Sequence, residues 1–203
     1  MPQINTLIFD IGNVLVDFRW KEYLEDCGYT GETLQRVSRA TVMNLLWVRW
    51  NRGDIEVEEM IEQCCKQEPE AEKEIRRLFQ NLNCLVKEYD YSEGFIRLLK
   101  RNGYKIYVLS NYPKYFFELD KDHFRFLPYM DGGVISYEIN RNKPEPEIYE
   151  TLINKYHINP KEAVFLDDLE ENLAAAEPFG FHTIQVKSYD QMLQELHKLQ
   201  III

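Results

Sequence analysis

Three stretches of this chain are apolar without alternation and then stop on polar or acidic residues: TLIFD at 6–10, KIYVLS at 105–110 and AVFLDD at 163–168. A strand with one wet face alternates apolar and polar residues. An unbroken apolar run of this length belongs to a strand covered on both faces, as in a parallel sheet. GGVISY (132–137) and HTIQVK (182–187) read as further, weaker strands. FIRLLKRNG, EIYETLINKYH and LEENLAAAEPFG have helical apolar spacing, and two of them run into Gly or Asn near the expected C-cap. Alternating strand and helix predicts an α/β fold: a doubly wound, Rossmann-like parallel sheet with right-handed crossovers.

Residues 18–85 break this rhythm. LQRVSRATVMNLLWVRW and VEEMIEQCCKQEPEAEKEIRRLFQNL are amphipathic and helical in pattern, with a turn at Gly53–Asp54 and Asp54 as the expected N-cap of the second. The 203 residues therefore divide into an α/β core, 1–17 and 86–203, and an all-helical insert, 18–85, placed after the first strand. The closing LQIII is too short to anchor in a bilayer and is expected to pack on the core or on a neighbouring subunit.

Charge and cysteine content narrow the partners. The formal net charge is −10 with no basic block, which argues against nucleic acid and anionic membranes and suits carboxylates gathered around a cation. Cys27, Cys64, Cys65 and Cys84 show no metal-ligand spacing and read as reduced cytoplasmic thiols. MPQINTLIFD lacks a signal-peptide pattern, and no apolar run approaches the ~20 residues that span a bilayer. The four histidines are scattered and receive no role. The sequence leaves the oligomeric state open.

In open α/β sheets ligands bind beyond the carboxyl ends of the strands. Asp10 ends the first strand, Ser110 and Asn111 the second, and Asp167 and Asp168 the fourth; Lys143 follows the weak third. Each has an ordinary alternative. Asp10, Ser110 and Asn111 are turn residues, and Lys143 before Pro144 fits a solvated loop. Asp168 with Glu171 matches a capping box for the next helix. Asp167 lacks such an alternative, because adjacent acids at a strand end repel one another unless a cation compensates. Together, three acids, a hydroxyl and a lysine on one sheet edge suit Mg²⁺ and phosphate.

At these residues the chain resembles the haloacid dehalogenase-like hydrolase superfamily. IFDIGNVLVDF resembles its first motif, VLSN its second, NKPEPEIY its third and FLDDLEENLAAAEPFG its fourth, and the helical insert stands where the family places a small helical cap. The details look most like the branch of sugar-1-phosphate phosphatases and the epoxide hydrolase phosphatase domain. The resemblance implies a Mg²⁺-dependent phosphatase acting on a small phosphorylated metabolite, such as a sugar 1-phosphate. Asp10 would form an aspartyl phosphate. Asp10, the Gly12 carbonyl, Asp167 and Asp168 would hold the metal, and Asn172 would orient the fourth motif. Ser110 and Lys143 would bind the transferring phosphoryl group, with backbone N–H groups around Gly12, Asn13 and Asn111 as further donors. Trp47, Arg49, Trp50 and Arg52 on the insert could read a sugar ring or a second phosphate; the alternative for the two tryptophans is burial between helices. Tyr112, Tyr115, Phe116 and Phe117 stand either at the pocket mouth or in packing.

One position departs from the pattern. Phosphatases of this group commonly carry Asp two residues after the nucleophile as general acid; this chain has Gly12. A carbonyl for the metal is retained, but a proton donor is lost. Either the leaving group needs little help, or another group supplies the proton, or the chain is a binding or regulatory relative. A haloacid dehalogenase fits less well, because those enzymes replace the acid pair that Asp167 and Asp168 form here.

Overall fold

The computed structural model describes residues 3–80, 82 and 84–203; positions 1 and 2 of the expected core and 81 of the expected second helical stretch lie outside these. The strands are β1 (Thr6–Phe9), β2 (Val16–Phe18), β3 (Val86–Glu88), β4 (Lys105–Ser110), β5 (Gly132–Ile135), β6 (Ala163–Asp167) and β7 (His182–Gln185). Five of them form one parallel sheet in the order β5-β4-β1-β6-β7. The weak third strand is shorter than its apolar run, because Ser136 and Tyr137 already belong to a short helix, Ser136–Ile139.

The apolar runs are explained by two cores. Leu7 and Phe9, Ile106 and Val108, and Val164 and Leu166 pack on one face of the sheet. Ile8, Tyr107, Leu109, Ala163 and Phe165 pack on the other. Successive strand residues point to opposite faces, so burial of both faces demands apolar residues at every position. The closing segment also joins the core. Ile201 is buried, Asn102 donates to the Ile202 carbonyl at 2.9 Å, and Ile202 N–H donates to Tyr104 Oη at 2.9 Å.

The insert consists of α1 (Trp20–Asp26), α2 (Gly31–Ala40), α3 (Leu45–Arg52), α4 (Val57–Gln67) and α5 (Glu72–Leu78). Its ends are drawn together by β2 and β3, paired antiparallel with Val16 opposite Glu88 and Phe18 opposite Val86. Both expected long helices are broken. Thr41 turns its hydroxyl back to the Val37 carbonyl, and Asn44 caps α3 by accepting from Leu46 N–H at 3.0 Å. Pro69 interrupts the second. Gly53, with φ 80°, closes α3 in the left-handed conformation. Asp54 does not cap α4; the flanking residue is Glu56, which makes no side-chain cap bond.

The core completes α3. A helix leaves its last carbonyls without intrahelical donors. Arg49 and Trp50 carbonyls accept from the N–H groups of Asp54 and Gly53. The Asn51 carbonyl accepts from Ser136 Oγ, and the Arg52 carbonyl from Asn140 Nδ2 at 3.1 Å. Arg52 Nε donates to the Asn140 carbonyl at 2.9 Å, and Asn142 Nδ2 to the Val48 carbonyl at 2.8 Å. The core elements named from here are α6 (Ser92–Arg101), α7 (Lys114–Asp120), α8 (Ser136–Ile139), α9 (Pro146–Tyr156), α10 (Glu170–Ala176) and α11 (Tyr189–Lys198).

Candidate active site

Phe9 pairs with Val108 on one side and Leu166 on the other, so Asp10 leaves the centre of the sheet between the tips of β4 and β6. From β1 the chain lays β4 and β5 on one side and then crosses to lay β6 and β7 on the other, and this reversal of strand order opens the crevice. Carboxylate oxygens of Asp10, Asp167 and Asp168 lie within 4.8 Å of one another. Lys143 Nζ, with its side chain 1% exposed, stands 2.9 Å from Asp10 Oδ1 and 2.6 Å from Asp167 Oδ2. Lys143, which the resemblance assigns to the phosphoryl group and which taken alone reads as a solvated loop lysine, is thus a buried cation at the acid edge.

Three asparagines hold this arrangement. Asn111 brackets the lysine: its Oδ1 accepts from Lys143 N–H at 2.7 Å and its Nδ2 donates to the Lys143 carbonyl at 2.9 Å. Asn172 Nδ2 donates to both oxygens of Asp167, at 3.0 and 3.1 Å. Tyr149 hydroxyl in turn donates to the Asn172 carbonyl at 2.8 Å. Asn13, at φ 55°, donates from Nδ2 to Asp168 Oδ2 at 2.9 Å and accepts from Phe18 N–H. The side chains of Asn13 and Asn111 are therefore engaged by the protein, and the expectation for both concerns their backbone N–H groups.

The acid pair also differs from the expected capping box. Asp168 makes no cap bond to α10; Leu169 is the flanking residue, and its N–H donates to Asp167 Oδ1 at 2.8 Å. Asp167 is wholly buried and each of its oxygens already has two protein donors. Asp10 and Asp168 carry the less committed oxygens.

Electrostatics follow from burial. Removal from water raises the Asp10 carboxyl from 3.8 to about 7; Lys143 and the hydrogen-bonded Ser110 hydroxyl oppose the rise, and Asp167 and Asp168 add to it. Burial disfavours the Lys143 ammonium, but Asp10 and Asp167 more than offset this and hold its proton above the usual lysine range. Burial raises Asp168 as well, against the hydrogen bond from Asn13. One buried ammonium among three acids leaves an excess of negative charge that a cation relieves. Three clustered carboxylates beside the Gly12 backbone on an open cleft are the oxygen-donor set that suits Mg²⁺.

A cleft of about 410 Å³ opens over this edge. Its floor includes Asp10, Gly12, Ser110 and Lys143, and its walls include Val42, Trp47 and Val48 from the insert and Tyr112, Phe116 and Leu169 from the core. Trp47 reaches the cleft; Trp50 does not. One helical turn farther on, its ring is packed between Phe79 and Phe116, 5.7 and 5.0 Å away. Arg52 is taken up by Asn140 and Glu145, and Arg49 lies outside the cleft lining. Of the four aromatics after β4, Tyr112 and Phe116 line the cleft, whereas Phe117 packs on Tyr112 and Tyr115 on Trp50. A Cβ built on Gly12 meets nothing within 4 Å, so its missing side chain is not a steric demand of the fold. Asn172 stands where the resemblance implies, holding the fourth motif's Asp167, whereas the side-chain clamps of Asn111 and Asn13 have no local signal, since their partners lie 32 and 155 positions away.

The chain is similar to known proteins in sequence and in fold. The model of the haloacid dehalogenase-like hydrolase family matches residues 4–180. Sesquiterpene phosphatase astK of Aspergillus oryzae is 27% identical over 194 residues, covering 95% of this chain and 94% of that protein. D-ribitol-5-phosphate phosphatase of Bacteroides thetaiotaomicron is 29% identical over 117 residues, 55% of this chain and 54% of that protein. The chain spans about half or less of the length of some curated relatives it matches. Among solved structures, the HAD family enzyme BT-2542 of Bacteroides thetaiotaomicron, in complex with magnesium and inorganic phosphate, superposes with a TM-score of 0.71 at 24% identity, over 92% of this chain and 96% of that one, a likeness of fold. With the sheet order, the acid-lysine edge and the family match over most of its length, the chain belongs to the haloacid dehalogenase-like hydrolases.

Proposed function

We propose that the chain is a Mg²⁺-dependent phosphatase that cleaves a small phosphate monoester through a phosphoryl group carried on Asp10. The observation that supports this most is the buried trio of Asp10, Lys143 and Asp167 with Asp168 beside it. Asp10, Asp168 and the Gly12 carbonyl would hold Mg²⁺, which when bound offsets their charge and that of the phosphoryl oxygens. Asp167, saturated by protein donors, anchors Lys143 rather than reaching the ion directly.

Asp10 attacks phosphorus as a carboxylate; one P–O bond forms as the ester P–O bond breaks. Lys143 and the Ser110 hydroxyl meet the equatorial oxygens, as preorganised donors do for developing charge. Water then attacks the aspartyl phosphate and releases phosphate, restoring Asp10. The helical insert serves as the cap that keeps bulk water from this exchange.

Gly12 places a condition on the substrate. General acid-base help is worth about 10²–10⁴ in rate, and without an acid at position 12 the leaving oxygen must depart with little assistance. An anomeric sugar 1-phosphate meets that condition, as do aryl and anhydride phosphates. A binding or regulatory relative is the competing reading. The charge of −10 and four free thiols support a small-molecule substrate in a reducing compartment such as the cytoplasm, with no nucleic-acid partner; among the described residues no helix is long and apolar enough to cross a membrane. Aryl phosphate turnover that stops with EDTA and in Asp10→Asn is the expected result. Equal activity in the variant, or none in the wild type with Mg²⁺ bound, contradicts the proposal.

A further inference from the structure

We infer that the alcohol part of the substrate is apolar, and that Trp47 and Val48 select it. This rests on the phosphatase reading and narrows it. Outward from the phosphoryl position the cleft is walled by Val42, Trp47 and Val48 on the insert and by Phe116 and Leu169 on the core. The wall does not end at the cleft mouth. Val48 is 50% exposed and Leu169 48%, and Leu45, one helical turn before Val48 on the same side of α3, is 79% exposed. Large apolar side chains left in water around a reaction site mark a surface that a ligand covers.

Beyond the acid-lysine edge, Asn51, Asn142 and Glu171 supply few polar groups with which to read a polyol. Asn142 gives its NH₂ to the Val48 carbonyl, and the amide oxygens of Asn51 and Asn142, which have no hydrogen-bond partner in the protein, are buried behind the cleft surface. Among the described lining residues Lys143 is the sole cation, already held between two carboxylates, and Glu171 is the one charge beyond the acid-lysine edge. A sugar entering here would leave hydroxyls against Trp47, Val48 and Phe116 without partners, which is costly. A hydrophobic chain or ring leaves none. Within the class of weakly basic leaving groups that Gly12 tolerates, the walls therefore favour hydrophobic esters over sugar 1-phosphates.

The test holds leaving-group basicity nearly constant. The full chain with Mg²⁺ is assayed on phenyl, 4-ethylphenyl and 4-butylphenyl phosphate, and on glucose 1-phosphate and ribitol 5-phosphate. The expected result is that kcat/KM climbs along the aryl series, up to about fourfold per buried methylene, chiefly through KM, with both polar esters below 4-butylphenyl phosphate. Val48→Asn, at a half-exposed position that leaves the Asn142 bond to its carbonyl intact, is expected to flatten the climb. A flat or falling series in the wild type, a polar ester preferred tenfold, or an undiminished climb in Val48→Asn overturns the inference while leaving the phosphatase reading standing. Absence of turnover on every ester overturns both.

Discussion

Asp10 is a carboxyl whose proton is held by burial, and this has consequences in the metal-free protein. Its pKa stands at about 7, above the ordinary 3.8. The folded state therefore keeps a proton that the unfolded chain has already lost. The resulting stability is fully present below the ordinary carboxylate range and is lost as pH rises through about 7. In thermal melts without metal, wild type is expected to lose Tm over that window and Asp10→Asn to lose less; equal slopes would count against the assignment. Mg²⁺ competes with the same proton, so its stabilising effect should be larger at pH 8 than at pH 5.5. The neighbouring Gly12 gives a second residue-scale outcome. A side chain at position 12 meets no atom within 4 Å. Gly12→Asp should fold normally and raise turnover of simple alkyl phosphates, by up to about 10²–10⁴ if the new carboxyl is placed to give its proton to the leaving oxygen. A variant that folds and gains nothing would show that the leaving group is not what limits this chain.

At the scale of elements, the contact between insert and core is concentrated at the end of α3, where core residues satisfy helix carbonyls. Asn140→Ala leaves the Arg52 carbonyl without its partner and should cost about 1 kcal/mol, with faster amide exchange confined to α3 and the Gly53 turn. Uniform exchange changes would contradict a local latch. The same elements show why some structure was legible and some was not. β1, β4 and β6 were readable because burial on both faces forces apolar residues at every position, and their acidic or polar ends mark the crevice. β2 and β3 were not, since three residues carry no period and their pairing depends on strands 70 positions apart, with Val16 opposite Glu88 and Phe18 opposite Val86. The breaks in the insert helices were signalled by Thr41 and Pro69 but outweighed by continuous amphipathic spacing. Asn111 and Asn13 line the cleft, but their bonds run to residues 32 and 155 positions away, which no local pattern encodes. Trp47 and Trp50 share a helix face in sequence, and only the packing of Phe79 and Phe116 separates the one that borders the cleft from the one that does not.

The whole molecule is a sheet with two cores and one charged edge, roofed by a helical insert. Its net charge of −10 and its three clustered acids both favour a bound cation. A ligand that binds only the folded state stabilises it by about 2.7 kcal/mol at a hundredfold excess over Kd, so saturating Mg²⁺ should raise Tm by several degrees, and Asp168→Asn should abolish most of that rise. In the proposed mechanism Asp10 itself would receive the phosphoryl group. Mass analysis of peptides after acid quench of enzyme turning over an aryl phosphate with Mg²⁺ tests it most directly. The expected result is the added mass of one phosphoryl group on the peptide carrying Asp10, absent in Asp10→Asn. Steady turnover with that group on another residue, or with Asp10→Asn fully active, would contradict the account.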